Sequence, residues 1–223
     1  DLAFEPDHIL LGQWRIIREL GRGGFGAVFE AEELNLKEIH AVKVLDPRMV
    51  PNADLLERFR REVSVMRRLS HPRVVRVFDY REDRNEEVAL ISMVLVEGCS
   101  VRDLLAAARE TGQQVAIPLA LTIFEQTLES LAAAHEAGVV HRDVTPGNIL
   151  LAGGSAADLL ANPGRDPHVR MVDFGIAGLV NSTELSAKSR VLGTAKYVAP
   201  EIVSATAEIT PVADVYGAGA VTY

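Results

Sequence analysis

The sequence predicts an α+β fold in two lobes: a β-rich first lobe with one long helix, then a mainly helical second lobe. Three observations predict it. Segments between residues 13 and 96 alternate apolar and polar side chains with a period of two, the mark of half-buried strands. One stretch among them, "NADLLERFRREVSVMRRLS" (52–70), has helical spacing instead. From Ser100 onward the spacing is helical, broken by turn-rich connections. The change falls near residues 96–99. The expected division is an N-terminal extension (1–13), a first lobe (14–96) and a second lobe (97–223).

Each element has its own signal. "QWRIIREL" (13–20) and "GAVFEAEE" (26–33) read as strands flanking a Gly-rich turn. "IHAVKVL" (39–45) is a third strand, with Ala41, Lys43 and Leu45 on one face. In the long helix Leu55, Leu56, Phe59, Val63, Met66 and Leu69 form an apolar stripe, and Asn52 or Asp54 is the N-cap. "RVVRVFDY" (73–80) and "EVALISMVLV" (87–96) are two more strands. "VRDLLAAARE" (101–110) is a helix ending near Gly112, and "PLALTIFEQTLESLAAAHEAG" (118–138) is one with a Pro start and a Gly stop. "AGGSAADLLANPGRDP" (152–167) is turn-rich and reads as an inserted surface loop. "HVRMVDFG" (168–175) is a strand into a turn, and "ADVYGAGAVTY" (213–223) begins a buried helix.

Composition excludes several functions. The chain has 223 residues, 48% hydrophobic and 24% charged, which is ordinary for a soluble globular protein. A net charge of −8 argues against nucleic acid as a partner, because phosphate backbones need a basic face. The single cysteine, Cys99, forbids an internal disulfide and suits a reducing cytosol, so the expected location is cytoplasmic. The opening "DLAFEPDHILLGQW" is not a signal peptide, and no run approaches the ~18 apolar residues of a membrane span. Any membrane anchor is expected outside these residues.

Four motifs carry chemistry. "GRGGFG" (21–26) fits G-x-G-x-x-G, with Gly21, Gly23, Gly24 and Gly26 in place. A dinucleotide fingerprint would open a helix, with an acid about twenty residues on. Here an alternating strand follows, and the charged residue at that distance is Lys43. A hairpin whose backbone N–H groups cover phosphates fits better, with an ordinary flexible turn as the alternative. Lys43 either snorkels to solvent or binds phosphate oxygens, with Glu62 on the following helix as its carboxylate partner. In "HRDVTPGNIL" (141–150), Asp143 precedes Asn148 by a short turn, and Asp173 opens "DFG". Asn148 and Asp173 offer hard oxygens to Mg²⁺ or Mn²⁺, leaving Asp143 to accept a proton from a hydroxyl.

Together, from Gly21 to Asp214, these motifs resemble a eukaryotic-type protein kinase, more like the bacterial serine/threonine members than any tyrosine kinase. The resemblance implies a bilobal kinase-like fold, ATP and Mg²⁺ as cofactors, and transfer of the γ-phosphoryl group to Ser or Thr of protein substrates. It implies that Lys43 holds the α- and β-phosphates and pairs with Glu62. Leu20, Val28, Ala41 and Leu150 would enclose the adenine. Met93 resembles the gatekeeper, and "VLVEG" the hinge, with Val94 and Val96 contributing backbone. His141, Phe174 and Met66 resemble the stacked spine of the active state, and Asp214 the buried anchor of the catalytic loop.

"GTAKYVAPE" (193–201) resembles a substrate-docking segment, with Thr194 near the catalytic Asp. Arg142 stands where such kinases bind an activation-loop phosphate; Thr183, Ser182, Ser186 and Ser189 are the available hydroxyls, Ser186 favoured and then Thr183. Autophosphorylation through a kinase–kinase dimer goes with that reading.

The sequence also departs from the family. Thr145 replaces the usual lysine, removing one charge from the γ-phosphate, and Val94 replaces a hinge Glu. The 152–167 insertion lengthens the path from Asn148 to Asp173. The family's fold continues through further helices beyond a position like Tyr223, so residues 1–223 alone are expected to aggregate or act weakly. A nucleotide-binding scaffold without catalysis and a small-molecule kinase are the alternative readings.

Overall fold

The computed structural model describes residues 2–83, 85–174, 194–204 and 210–223. Its period-two segments form one antiparallel six-stranded sheet: β1 (Ile9–Leu10), β2 (Trp14–Gly23), β3 (Gly26–Glu33), β4 (Glu38–Leu45), β5 (Val77–Asp83) and β6 (Val88–Val94). The order is β1-β2-β3-β4-β6-β5. Register fixes its two faces, because directly opposed residues share a face and neighbours along a strand do not. One face carries Trp14, Ile16, Ala27, Phe29, Ala31, Val42, Val44 and Leu90, buried in a cluster with Leu2 and Leu10. The other has Val28 opposite Lys43, Lys43 opposite Ile91, and Ala41 opposite Met93.

The expected long helix is α1 (Ala53–Met66). Asn52 is its cap, accepting a hydrogen bond from the Leu55 N–H at 3.0 Å, which satisfies one of the orphan donors of the first turn. Leu56, Phe59, Val63 and Met66 are buried. Phe59 meets Tyr80 of β5 edge to face at 5.6 Å, and Tyr80 stands opposite Ile91. The helix therefore packs on the Lys43 face. Burial and the neighbouring Glu82 carboxylate push the Tyr80 phenol above its usual range.

The stretch before Trp14, expected as an extension, joins this sheet. Ile9 pairs with Arg15 and Leu10 with Trp14, while Leu2 and Leu10 are 7% and 2% exposed. The expected strand over 73–80 is split. Val77 onward is β5, but the Val75 N–H donates to Met171 and the Met171 N–H to Arg73. Contacts accordingly group Asp1–Arg68 with Arg76–Leu95 as one unit, and Leu69–Val75 with Val96–Tyr223 as the other.

In the second unit a three-stranded sheet, β7 (Gly98–Ser100), β8 (Ile149–Ala152) and β9 (His168–Met171), runs in that order. Helix α2 (Val101–Thr111) starts on a capping box between Ser100 and Asp103 and stops at Gly112, whose φ of 67° suits glycine. Helix α3 (Ile117–Glu136) buries Leu119, Ile123, Leu131 and Ala134. The inserted segment is not all loop. Ser155 and Asp158 form a second capping box that starts α4 (Ala156–Ala161), with Leu159 1% exposed. Buried Gln126 of α3 fixes the segment's far end, accepting from the Val169 N–H at 2.9 Å and donating to Asp166 at 2.6 Å. Among the described residues two further helices follow, α5 (Pro200–Ser204) and α6 (Pro211–Thr222). Ala213, Asp214, Gly217 and Ala218 of α6 are buried, while Val212, Val215 and Tyr216 are exposed.

Gly26 has a φ of 146°, and a Cβ there would lie 2.0 Å from the Val44 carbonyl oxygen. Gly26→Ala is expected to destabilise the first unit by about 1–3 kcal/mol from backbone strain alone, read as a lowered urea midpoint. An unchanged midpoint would contradict this placement.

Candidate active site

The first unit supplies a glycine hairpin and a buried lysine. Gly23 pairs with Gly26, so Gly24 and Phe25 form the turn of a strand–strand hairpin. No helix opens here, which removes the dinucleotide reading. Gly21 stands opposite Val28 and Arg22 opposite Ala27. On the Val28 face, positions 21, 23 and 26 are all glycine, so only backbone is presented there. Leu20 leads into the hairpin and is 38% exposed.

Lys43 lies on that same face, between Val28 and Ile91, and is 6% exposed. It does not snorkel to solvent. Glu62 is half-buried at the edge of the α1 stripe, with carboxylate oxygen Oε2 cut off from solvent. Withdrawing a lysine and a glutamate from water in one unit is costly unless each meets opposite charge. Ala41 and Met93 are buried one row along the same face, and β6 ends at the partly exposed Val94. Val96 follows at the start of the second unit.

The loop after α3 is built around one carboxylate. Asp214 is 1% exposed and accepts three hydrogen bonds, each 2.7 Å: from the backbone N–H of His141, the backbone N–H of Arg142, and Nε2 of His135. Arg142 is held at φ 68°, sparsely populated for a side chain of that size. The two backbone N–H groups that donate to Asp214, at and just before Arg142, hold that turn.

His141 is fully buried, and its tautomer follows from its partners. Nδ1 accepts from the Asp143 N–H at 3.3 Å, so the ring proton sits on Nε2, which donates to the Val172 carbonyl at 2.9 Å. The ring packs on Phe174 with centroids 4.5 Å apart. One imidazole thus ties the Asp143 turn to the chain just before Asp173, whose own φ is 63°.

Asn148 donates through Nδ2 to the Asp143 carbonyl at 2.8 Å and to Asp143 Oδ2 at 3.0 Å. Both partners are acceptors, so the amide orientation is fixed by the network. Asn148 Oδ1 and Asp143 Oδ1 are left without a hydrogen-bond partner among the described residues. The Asn148 N–H donates to Thr145, and the Val172 N–H to Asn148. Leu150 is half-buried between the fully buried Ile149 and Leu151.

A small cleft borders this loop, lined by Asp143, Thr145, Tyr197, Val198, Ala199 and Gly217 among others. Thr145 is 7% exposed. Gly217 lets α6 approach: a Cβ there would lie 2.9 Å from the Val144 Cβ. Thr194 opens a short 3₁₀ turn, Thr194–Tyr197. Thr183, Ser182, Ser186 and Ser189 lie outside the described residues. No group of three or more His, Cys, Asp or Glu side chains among the described residues forms a metal cage. Mg²⁺ held by one or two protein oxygens plus phosphates needs none.

Two participants escaped the sequence reading. His135 reaches Asp214 from 79 positions away, and only tertiary packing reveals it. Arg102 of α2 donates its backbone N–H to Pro146 and lays its guanidinium on Gly147, where a Cβ would meet Nη2 at 2.1 Å. Cys99 lies in β7, and burial pushes its thiol up to about 11, which makes it a poor nucleophile at neutral pH.

Residues 14–223 match the family profile described as the protein kinase domain. This chain belongs to the protein kinase family. It is 35% identical to the serine/threonine-protein kinase pkn2 of Myxococcus xanthus over 98% of this chain and 25% of that protein. It is 35% identical to PknA of Mycobacterium tuberculosis over 96% of this chain and 46% of that protein, and 38% identical to PkaA of Streptomyces coelicolor over 92% and 37%. The kinase chain thus spans a quarter to about half of these curated relatives. The crystal structure of the Mycobacterium tuberculosis PknI kinase domain superposes with a TM-score of 0.72 at 26% identity, covering 99% of this chain and 76% of that one. The expected bilobal kinase-like fold and the serine/threonine kinase resemblance both hold.

Asp214→Asn replaces one acceptor oxygen with an NH2 donor that faces other donors. It is expected to cost about 3 kcal/mol of stability, measured by urea unfolding, with His135→Ala costing less because two of the three bonds survive. Equal losses in the two variants would contradict this account of the kinase loop.

Proposed function

We propose that this protein is an ATP- and Mg²⁺-dependent serine/threonine protein kinase, with Asp143 as the base. The observation that carries this reading is the Asp143–Asn148 pair. The Asn148 amide holds one Asp143 oxygen at 3.0 Å and leaves the other for a substrate hydroxyl. Asp143 positions that hydroxyl and takes its proton as phosphoryl transfer proceeds. Asn148 Oδ1 and the Asp173 carboxylate are the hard oxygens for the cation, which when bound neutralises phosphate charge. Lys43, withdrawn from water and with Glu62 as its carboxylate partner, orients the phosphates; the bare face of Gly21, Gly23 and Gly26, with the turn at Gly24, covers them through backbone N–H groups. Leu20, Val28, Ala41 and Met93 of the first unit offer the adenine an apolar surface, with the backbone at Val94 as a hydrogen-bonding edge.

Substrates are proteins presenting Ser or Thr, docked along the segment that includes Thr194. Arg142 receives a phosphate placed on Thr183, Ser186 or Ser189, and a kinase–kinase dimer delivers it. Thr145 favours a second reading, a nucleotide-binding scaffold, since no lysine stands in its place to neutralise γ-phosphate charge.

Radiolabelled ATP separates the two. Asp143→Asn is expected to lower phosphotransfer by about 10²–10⁴-fold while ATP binding persists; equal labelling of both proteins excludes the catalytic reading. Thr145→Lys is expected to raise turnover, and phosphoamino-acid analysis of the product should show Ser or Thr.

A further inference from the structure

The glycine hairpin is held from the side opposite the nucleotide face. Arg22 stands between Gly21 and Gly23, and its register partner is Ala27, a member of the buried cluster. Its side chain therefore projects away from Val28 and Lys43. There its guanidinium is gripped as a fork by Glu19, with Nε at 3.2 Å and Nη2 at 2.7 Å. The same Nη2 donates to the backbone carbonyl of Leu2 at 3.1 Å.

Leu2 is a fixed point. It is 7% exposed, within the cluster that includes Ala27 and Phe29. Two residues on, Phe4 meets Phe29 edge to face at 5.5 Å and stacks on His8 at 5.0 Å. The other end of the segment is equally tied. The Asp7 N–H donates to Ile16 at 2.8 Å, the Ile16 N–H to His8 at 2.9 Å, and β1 pairs with the start of β2. Residues 2–10 thus run along the sheet from the beginning of β2 to the hairpin, anchored at both ends.

We propose that residues 2–10 form a positioning strap for the glycine hairpin, and that Arg22 is the residue that couples the two. An exposed Arg22–Glu19 pair alone would contribute little. Tied to a buried strap, the guanidinium limits how far the backbone at 21–26 can lift, so the strap sets the affinity of the nucleotide that the hairpin covers. This consequence rests on the ATP-binding reading above; the restraint on the hairpin does not. Arg22 is a positioning residue, since its side chain lies on the face away from the proposed site.

The test compares Arg22→Gln, Phe4→Ala, the double variant and Arg22→Lys in the full chain. Amide hydrogen exchange at residues 21–26 is followed without nucleotide, and KM for ATP and kcat are measured separately. Each single variant is expected to speed exchange at 21–26 and raise KM by roughly three- to tenfold, the range of one ordinary lost interaction, with kcat nearly unchanged. The double variant should be no worse than the stronger single, because both break one linkage. Arg22→Lys, which keeps a donor, should recover part of the loss. Unchanged exchange in both singles, or fully additive effects in the double, overturns the strap. A wild-type protein that binds no ATP would sink the kinase reading instead, while the exchange comparison still decides the strap.

Discussion

The Asp214 carboxylate is the group on which the second unit's chemistry depends. A carboxylate with 1% exposure is tolerable only if its charge is met by donors, and here three converge on it. Two of them are backbone N–H groups of consecutive residues, so the carboxylate fixes the path of the chain at His141 and Arg142. That path aims the His141 ring at Val172 and Phe174, and it delivers Asp143 to the reach of Asn148. The Asn148–Asp143 bonds close within five residues, while the His141 ring reaches across 31 positions to Val172. Gly217, three residues along the same helix, is the matching steric condition, since it lets α6 come close enough to Val144 for Asp214 to reach the loop.

The first unit solves a different problem by a simpler device. Alternation along β2, β3 and β4 assigns apolar bulk to one face, and to the other it assigns the glycines, Val28, Ala41 and Lys43. A shift of one residue in register would take Phe29 out of the buried cluster and carry Arg22 to the Lys43 face. The same alternation turns the proposed strap contact to the side opposite the nucleotide. The hairpin therefore has one bare glycine face and, on the other side, the Arg22 contact to Leu2.

Much of this was legible in the residues themselves. Asn52 as a cap, Gly112 and Gly138 as stops, and the stripe of α1 all follow from local rules that tertiary structure did not overrule. The helix in the 152–167 segment was also written locally, in the Ser155–Asp158 capping box, but its small and turn-rich surroundings masked a stretch too short to show a period. The 73–80 segment failed for another reason. Its apolar alternation is real, yet Val75 bonds to Met171, a partner no local pattern can announce.

What the sequence determined by itself is the chemistry available: a glycine hairpin between strands, one lysine on the glycine face, and an Asp and Asn spaced within one loop. Period and spacing carry that information because they act over a few residues. Tertiary structure alone decided that His135 meets Asp214, that Arg102 lies on Gly147, and that Leu2 reaches Arg22. Each of these joins parts distant in sequence or on different elements. Such contacts are set by packing and by the need to satisfy buried polar groups, which no short-range pattern encodes.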